Sequence, residues 1–279
     1  MAMTPVIPLL TNSICVFALV FFSSLPHLSL CFKPRSFNHS AAVQSNWSPG
    51  GATWYGSPNG YGSDGGACGY GNAVEKAPFS SLVSAGGPSL FKSGKGCGAC
   101  YQVKCNHNAA CSGKPVTVVI TDECPGGPCV AEAAHFDLSG TAFGAMAITG
   151  RADQLRKAGV LQIQYKRVPC NYPGWNVVFH VDAGSNPYHL SVVVEFEDGD
   201  GNLAGLDLHQ SSSSPTPKAW ISMQHSWGAV WELNSVSALK APLSFKLISD
   251  SGMTIVANNV IPSRWQPGAT YRSVVNFKV

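Results

Sequence analysis

The residues best suited to acid/base chemistry in this chain fall between Val116 and Ala147: Asp122, His135 and Asp137. Val116-Thr-Val-Val-Ile120 is β-branched and runs into Thr121-Asp122, the pattern of a buried strand with a carboxylate at its tip. In His135-Phe-Asp-Leu138 the two-residue period of a strand puts His135 and Asp137 on one face and Phe136 and Leu138 on the other. The segment from Gly140 to Ala147 then turns into a short helix, with Ser139 or Thr141 as its N-cap. A His and two Asp gathered at strand ends suit general acid/base work or the grip of sugar hydroxyls. The plainer role open to Asp137 is to cap the turn that follows it. A Ser-His-Asp nucleophile does not fit, because His135, Asp137 and Ser139 share one strand face and no GxSxG elbow occurs.

The rest of the chain must place these groups. Its 279 residues suffice for two domains, and 29 Gly with 19 Pro at only 12% charged residues favour a β-rich, turn-rich architecture. Net charge is +3 with no Lys/Arg run, so nucleic acid is not an expected partner. Residues 1–30 carry an apolar core, Ile14–Phe22, which stops at Ser23 and Pro26, short of the roughly 20 residues of a membrane span; it reads as a secretory signal rather than an anchor. Residues 31–47 form a polar leader with two sequons, at Asn38 and Asn46. Cys15 and Cys31 lie in or beside the signal. The eight that remain are Cys68, Cys97, Cys100, Cys105, Cys111, Cys124, Cys129 and Cys170. An even count in an exported chain indicates disulfides, in any of 105 connectivities. The CxxC at Cys97 lacks the βαβ setting of a redox site, and no second pair matches it for zinc. No metal and no cofactor is expected.

In chain order, Thr53-Trp-Tyr55 is a short strand in which Thr53 and Tyr55 face opposite Trp54. Its aromatics suit sugar stacking or, more simply, a core. A Gly/Pro/Asn loop follows to Gly66 and holds Asp64 at a turn. Further strands are expected at Phe79–Ser84, around Tyr101–Cys105 and at Leu161–Val168, with a brief helix at Arg151–Ala158. Cysteines end at Cys170, which puts the domain boundary at Asn171–Trp175. Beyond it eight strands are expected: Asn176–Val181, His189–Phe196, Leu203–His209, Ala219–Met223, Ala229–Leu233, Leu243–Ile248, Met253–Ala257 and Tyr271–Lys278. That pattern makes a β-sandwich. Asp198-Gly-Asp-Gly-Asn202 begins like a calcium loop, but Leu203 and His209 occupy its sixth and twelfth positions, so it reads as a hairpin turn. Ser211–Pro217 is a surface loop. Among the aromatics, Trp227 is expected exposed and Trp231 buried.

Several motifs in one order resemble the β-expansins, the group that includes grass-pollen group-1 allergens. They are Thr53-Trp-Tyr-Gly56, Gly65-Gly-Ala-Cys-Gly-Tyr70, Cys97-Gly-Ala-Cys100, Ile120-Thr-Asp122, His135-Phe-Asp-Leu-Ser-Gly140, Ala142–Ala147, Gly184-Ser-Asn-Pro187 and Ser226-Trp-Gly-Ala229. The resemblance implies an all-β protein: a six-stranded double-psi β-barrel similar to family-45 endoglucanases at 48–173, then an immunoglobulin-like carbohydrate-binding sandwich at 185–279, with 174–184 between them. It implies the pairs Cys68–Cys97, Cys100–Cys170 and Cys105–Cys111, which leaves Cys124 with Cys129. It implies a secreted, monomeric protein of the plant cell wall that loosens cellulose and matrix glycans such as arabinoxylan without cutting them. Asp137 matches the endoglucanase acid, while the position of the base, just after Tyr55, holds Gly56-Ser57-Pro58. An inverting glycosidase needs both groups. By the same resemblance Thr53, Tyr55, Asp64, Asp122, His135 and Asp137 line a glycan groove, Trp54 and Trp227 extend it, and a surface tyrosine of the family aligns with His189, one residue after Tyr188. The competing expectations are an endoglucanase that uses Asp64 as base, and a pure binding or defence module as in barwin-like proteins, against which the long sandwich domain argues.

Overall fold

The computed structural model describes residues 47–211 and 219–279. The signal segment, Asn38, Asn46 and most of the Ser211–Pro217 loop lie outside the described residues.

Six strands close a barrel. They are β1 (Ser48–Tyr55), β2 (Val83–Gly86), β3 (Cys100–Cys105), β4 (Val116–Glu123), β5 (His135–Ser139) and β6 (Leu161–Arg167), neighbours in the order β1-β5-β2-β4-β3-β6. The β1/β5 and β2/β4 pairs are parallel and the other four antiparallel, the mixed pairing of a double-psi barrel. Short helices fill the connections: α1 (Pro88–Phe91), α2 (Pro128–Ala131), α3 (Gly140–Ala145) and α4 (Ala152–Arg156). Ser139 is the N-cap of α3, its hydroxyl accepting from the Ala142 amide at 3.0 Å. Alternation along β5 works as its sequence suggests: Phe136 and Leu138 are sealed in the barrel core with Val118, Ile120 and Val103. All four disulfides form, as Cys68–Cys97, Cys100–Cys170, Cys105–Cys111 and Cys124–Cys129.

The second half is a two-sheet β-sandwich. Its strands are β7 (Val178–Val181), β8 (His189–Glu195), β9 (Leu203–Gln210), β10 (Ile221–Ser222), β11 (Gln224–Trp227), β12 (Val230–Asn234), β13 (Leu243–Ser249), β14 (Thr254–Ile261) and β15 (Thr270–Arg272). Sheet orders are β10-β9-β13-β14 and β11-β12-β8-β7-β15. Between them Phe179 stacks on Phe245 with centroids 4.5 Å apart, amid Val192, Leu208 and Trp231. Each such large side chain contributes about 2 kcal/mol on burial.

Four expectations need correction. The first half of Phe79–Ser84 is a turn, because Ser80 and Ser81 take φ of +50° and +62°, and the strand starts at Val83. Of Ala219–Met223 only Ile221–Ser222 is strand: the chain leaves one sheet after Ser222 and joins the other at Gln224. The last strand is confined to Thr270–Arg272. The interval 174–184 is not all linker, since Val178–Val181 pairs with β8 and β15 as a sandwich strand.

Barrel and sandwich share a third apolar cluster, in which Tyr70, Phe79 and Tyr172 of one side meet Val193, Phe196 and Val230 of the other. The turn Asp198–Asn202 fastens this junction. Cys170 and Gly199 exchange two backbone hydrogen bonds, Asp198 accepts from the Tyr172 amide at 2.6 Å, and Asn202 accepts from Arg167 and donates to the Lys95 carbonyl, both at 2.8 Å. A Cβ on Gly98 would lie 2.0 Å from the Gly201 carbonyl oxygen, so the two turns approach at a distance only glycine permits.

Candidate functional site

The barrel's closure builds the site. Parallel pairing of β1 with β5 sets Thr53 opposite Asp137 and Gly51 opposite His135. The Thr53 hydroxyl bridges the two, 2.6 Å from Asp137 Oδ1 and 3.0 Å from His135 Nε2. On its other side His135 Nδ1 lies 2.8 Å from Glu132 Oε2. Ala85 of β2 is the register partner of both Asp122 and Asp137, so the two carboxylates flank one strand, about 10 Å apart at their Cα atoms. Asp122 accepts two backbone N–H bonds, from Ala67 at 2.7 Å and Glu123 at 2.8 Å, which ties down the Gly65–Tyr70 segment.

Burial pushes the Asp137 carboxyl above the usual carboxylate range; the Thr53 hydrogen bond and His135 pull it down, and Asp122 pushes it up. The Tyr55 hydroxyl feels both Asp122 and Asp137 and is raised chiefly by burial. It is buried without a hydrogen-bond partner, and the nearby Ser63 backbone tempers its shift without reaching hydrogen-bond geometry. The loop after β1 folds over its ring: a Cβ on Gly62 would lie 2.3 Å from Tyr55 Cζ.

From Asp122 the surface continues into an open groove of about 410 Å³ lined by Ala67, Phe91, Ser93, Glu123, Ser226 and Trp227. Trp227 is 51% exposed and rests on Gly69, where a Cβ would meet its ring at 3.0 Å. Glu123 and Ala67 of the barrel and Trp227 of the sandwich thus line one groove, next to Asp122.

Other expected residues are placed differently. His135 is fully buried and cannot line the groove; it stands behind Thr53 and acts only through it. Trp54 is turned to the opposite face of β1, half-buried against the barrel core, with its indole N–H donating to the Arg156 carbonyl at 3.1 Å; it does not extend the platform. Asp64 is exposed on the loop. Tyr188 is 56% exposed, but the β8/β12 register sets it roughly 15 Å along the sheet from Trp227. His189 bonds Asn234 at 2.8 Å. Glu132 was not among the expected site residues, and its one signal is its place three residues before His135. Among the described residues no group of His, Cys, Asp and Glu is placed to hold a metal ion, and no helix is long and apolar enough to cross a membrane.

Residues 177–262 match the family model of the expansin C-terminal domain, and residues 83–165 match a double-psi barrel model described as lytic transglycolase. The chain is 62% identical over 256 residues to a putative expansin-B2 of Arabidopsis thaliana, covering 91% of this chain and 92% of that one. The chain belongs to the expansin family. A second expansin, expansin-B11 of Oryza sativa subsp. japonica, is 60% identical over 240 residues, 85% of this chain and 80% of its own. Two crystal structures of an expansin from Clavibacter michiganensis share the expansin fold at TM-score 0.61. One is the apo protein, 22% identical, and the other a mutant in complex with cellohexaose, 21% identical; each covers 84% of this chain and 100% of its own. Wall loosening is the activity of this family.

Proposed function

We propose that this expansin is secreted to the plant wall and loosens it by binding a cellulose or matrix-glycan chain along the Asp137–Asp122–Trp227 surface, without hydrolysis. The single observation that carries this reading is Asp137 itself: a carboxyl held by Thr53 in a groove whose base position is Gly56, at φ +75°. Inversion requires an acid and a base across the scissile bond, and retention a second carboxylate close by. Asp122 accepts two backbone amides at Oδ1, which hold it as an anchor of the Gly65–Tyr70 segment, and Asp64 is exposed on the loop. What is left is a groove that grips sugar hydroxyls and stacks a ring on Trp227. A chain peeled from its neighbour offers more surface to that groove than a chain still attached, and the difference in affinity drives separation. The cellohexaose held by the bacterial relative supports a β-1,4-glucan as one ligand; arabinoxylan is the other.

The test pairs two readings on one preparation at mildly acidic pH: creep of heat-inactivated walls under constant load, and reducing ends released over the same hours. Creep without new ends is the expected result. New ends in proportion to creep, abolished by Asp64→Asn, would instead make the protein a glycosidase.

A further inference from the structure

Glu132, His135, Thr53 and Asp137 form one unbroken hydrogen-bonded line, with steps of 2.8, 3.0 and 2.6 Å. The protein builds this line deliberately. α2, which carries Cys129 of the Cys124–Cys129 disulfide, is capped by Glu132, whose amide bonds the Pro128 carbonyl at 3.1 Å. Gly51 leaves the space for it: a Cβ there would lie 1.6 Å from Glu132 Oε2 and 2.7 Å from His135 Nδ1. His135 is sealed from solvent, so the line is its whole polar environment.

Donors and acceptors on this line can be counted. With Glu132 ionised its carboxylate accepts, and Nδ1 carries a proton. The Thr53 hydroxyl has one proton and two neighbours that could accept it, Asp137 and Nε2. Two arrangements satisfy every group. In one, imidazolium Nε2–H donates to Thr53, which donates to ionised Asp137. In the other, neutral Asp137 donates to Thr53, which donates to bare Nε2. Both hold the same protons and the same net charge of −1, and they interconvert by two short proton shifts without moving a heavy atom. Removing the shared proton leaves Thr53 with one O–H facing two acceptors, an unsatisfied pair at a buried step.

We propose that Glu132, His135 and Thr53 are a proton relay that supplies Asp137 with an internally held proton, so that Asp137 meets a bound glycan as an uncharged hydrogen-bonding group. Glu132 is a positioning residue: it fixes the ring's tautomer and touches no ligand. The titratable groups facing Asp137 are Tyr55 from β1, Asp122 from β4 and His135 from β5. β2 on its other side presents Ser84, Ala85 and Gly86, which bring no charge. Burial, the largest influence, and the Asp122 charge favour the neutral carboxyl, against the Thr53 hydrogen bond and His135, which favour the ionised one; the net direction is upward. The use of the proton rests on the proposed function; its location does not.

The test is ligand-free. Imidazole 15N spectra of the mature chain near neutral pH should show His135 protonated at Nδ1 and bare at Nε2. In Glu132→Ala the ring proton should move to Nε2, and the Asp137 Cγ titration midpoint should fall by at least one pH unit, tenfold in proton affinity. Glu132→Gln, whose amide oxygen can still accept from Nδ1–H, should restore the wild-type tautomer. A role confined to stability would lower the melting temperature and move neither reading. A wild-type His135 protonated only at Nε2, or a tautomer unchanged in Glu132→Ala, overturns the relay. The wild-type imidazole spectrum read together with the wild-type Asp137 Cγ shift decides even if the variants fail to fold: Asp137 must be protonated at that pH, and an ionised Asp137 or an imidazolium ring overturns the relay. The expected tautomer together with no measurable cellohexaose or xylan-oligosaccharide binding would support the relay and sink the glycan reading.

Discussion

Asp122 and Asp137 are half-buried on barrel strands β4 and β5; Glu195 and Glu197 are sealed where the sandwich meets the barrel, at 7% and 4% exposure. Each groove carboxylate has a built partner, two amides for Asp122 and the Thr53 hydroxyl for Asp137. At the junction burial dominates. It pushes Glu195 up to about 7 and Glu197 up to about 8, the latter eased by a hydrogen bond from its own backbone and pushed further by Glu195. The difference teaches what separates a site from a pH-sensitive seam. A half-buried acid with designed partners keeps a defined hydrogen-bonding role, whereas a sealed acid must change its charge state or strain the structure.

The largest expected effect comes from the seam. The folded-state pKa of Glu195 and of Glu197 lies above the ordinary 4.5, so the folded protein holds these protons more tightly than the unfolded chain. The stability they contribute is fully present below about pH 4.5 and is lost as pH rises through 7 to 8. Urea unfolding at pH 5 and pH 8 should differ by on the order of 5 kcal/mol. Glu197→Gln should flatten most of that slope; a slope that survives it would place the pH dependence elsewhere.

In the groove the effects are smaller and fall on binding. Asp137→Ala should weaken cellohexaose binding about tenfold, the value of one well-placed hydrogen bond. Asp137→Asn should stay within about threefold of wild type if the carboxyl is uncharged when bound, since an amide offers the same kind of contact. A large loss in the Asn variant, measured by calorimetry, would mean that the negative charge does the binding. Trp227→Ala should cost about threefold to fivefold, one stacked ring, with an unfolding midpoint close to wild type. Equal affinity for both proteins would remove the sandwich from the groove.

The smallest effect sharpens the contrast between the two tryptophans. Trp54→Phe keeps a ring in the barrel core but removes the hydrogen bond to the Arg156 carbonyl. It should lower stability by about 1 kcal/mol and leave oligosaccharide affinity unchanged. Weakened binding at unchanged stability would return Trp54 to the glycan surface.

Much of this was legible in local pattern. The alternation of His135-Phe-Asp-Leu fixed which residues share a face, the β-branched run before Asp122 fixed a strand with a carboxylate at its tip, and the cysteine parity fixed a disulfide framework. Even the exposure of Trp227 and the burial of Trp231 followed from their neighbours. These are properties of a few adjacent residues, and side-chain periodicity encodes them directly.

What local pattern could not decide was which face of each strand would be covered, and by what. The face shared by His135 and Asp137 is sealed at the first and half-buried at the second, because Glu132 and Thr53 cover the imidazole. Trp54 went to the core rather than the platform because closing β1 between β5 and β6 turned that side inward. The Asp198–Asn202 turn, locally a hairpin, became the fastening between barrel and sandwich only once Arg167 and Lys95 were brought to it. Thr53 and Asp137 are 84 residues apart in the chain and touch only through the parallel register of β1 and β5. Such a register is set by the closure of the whole barrel, where every strand's pairing must be satisfied at once, and no single segment of the sequence contains it.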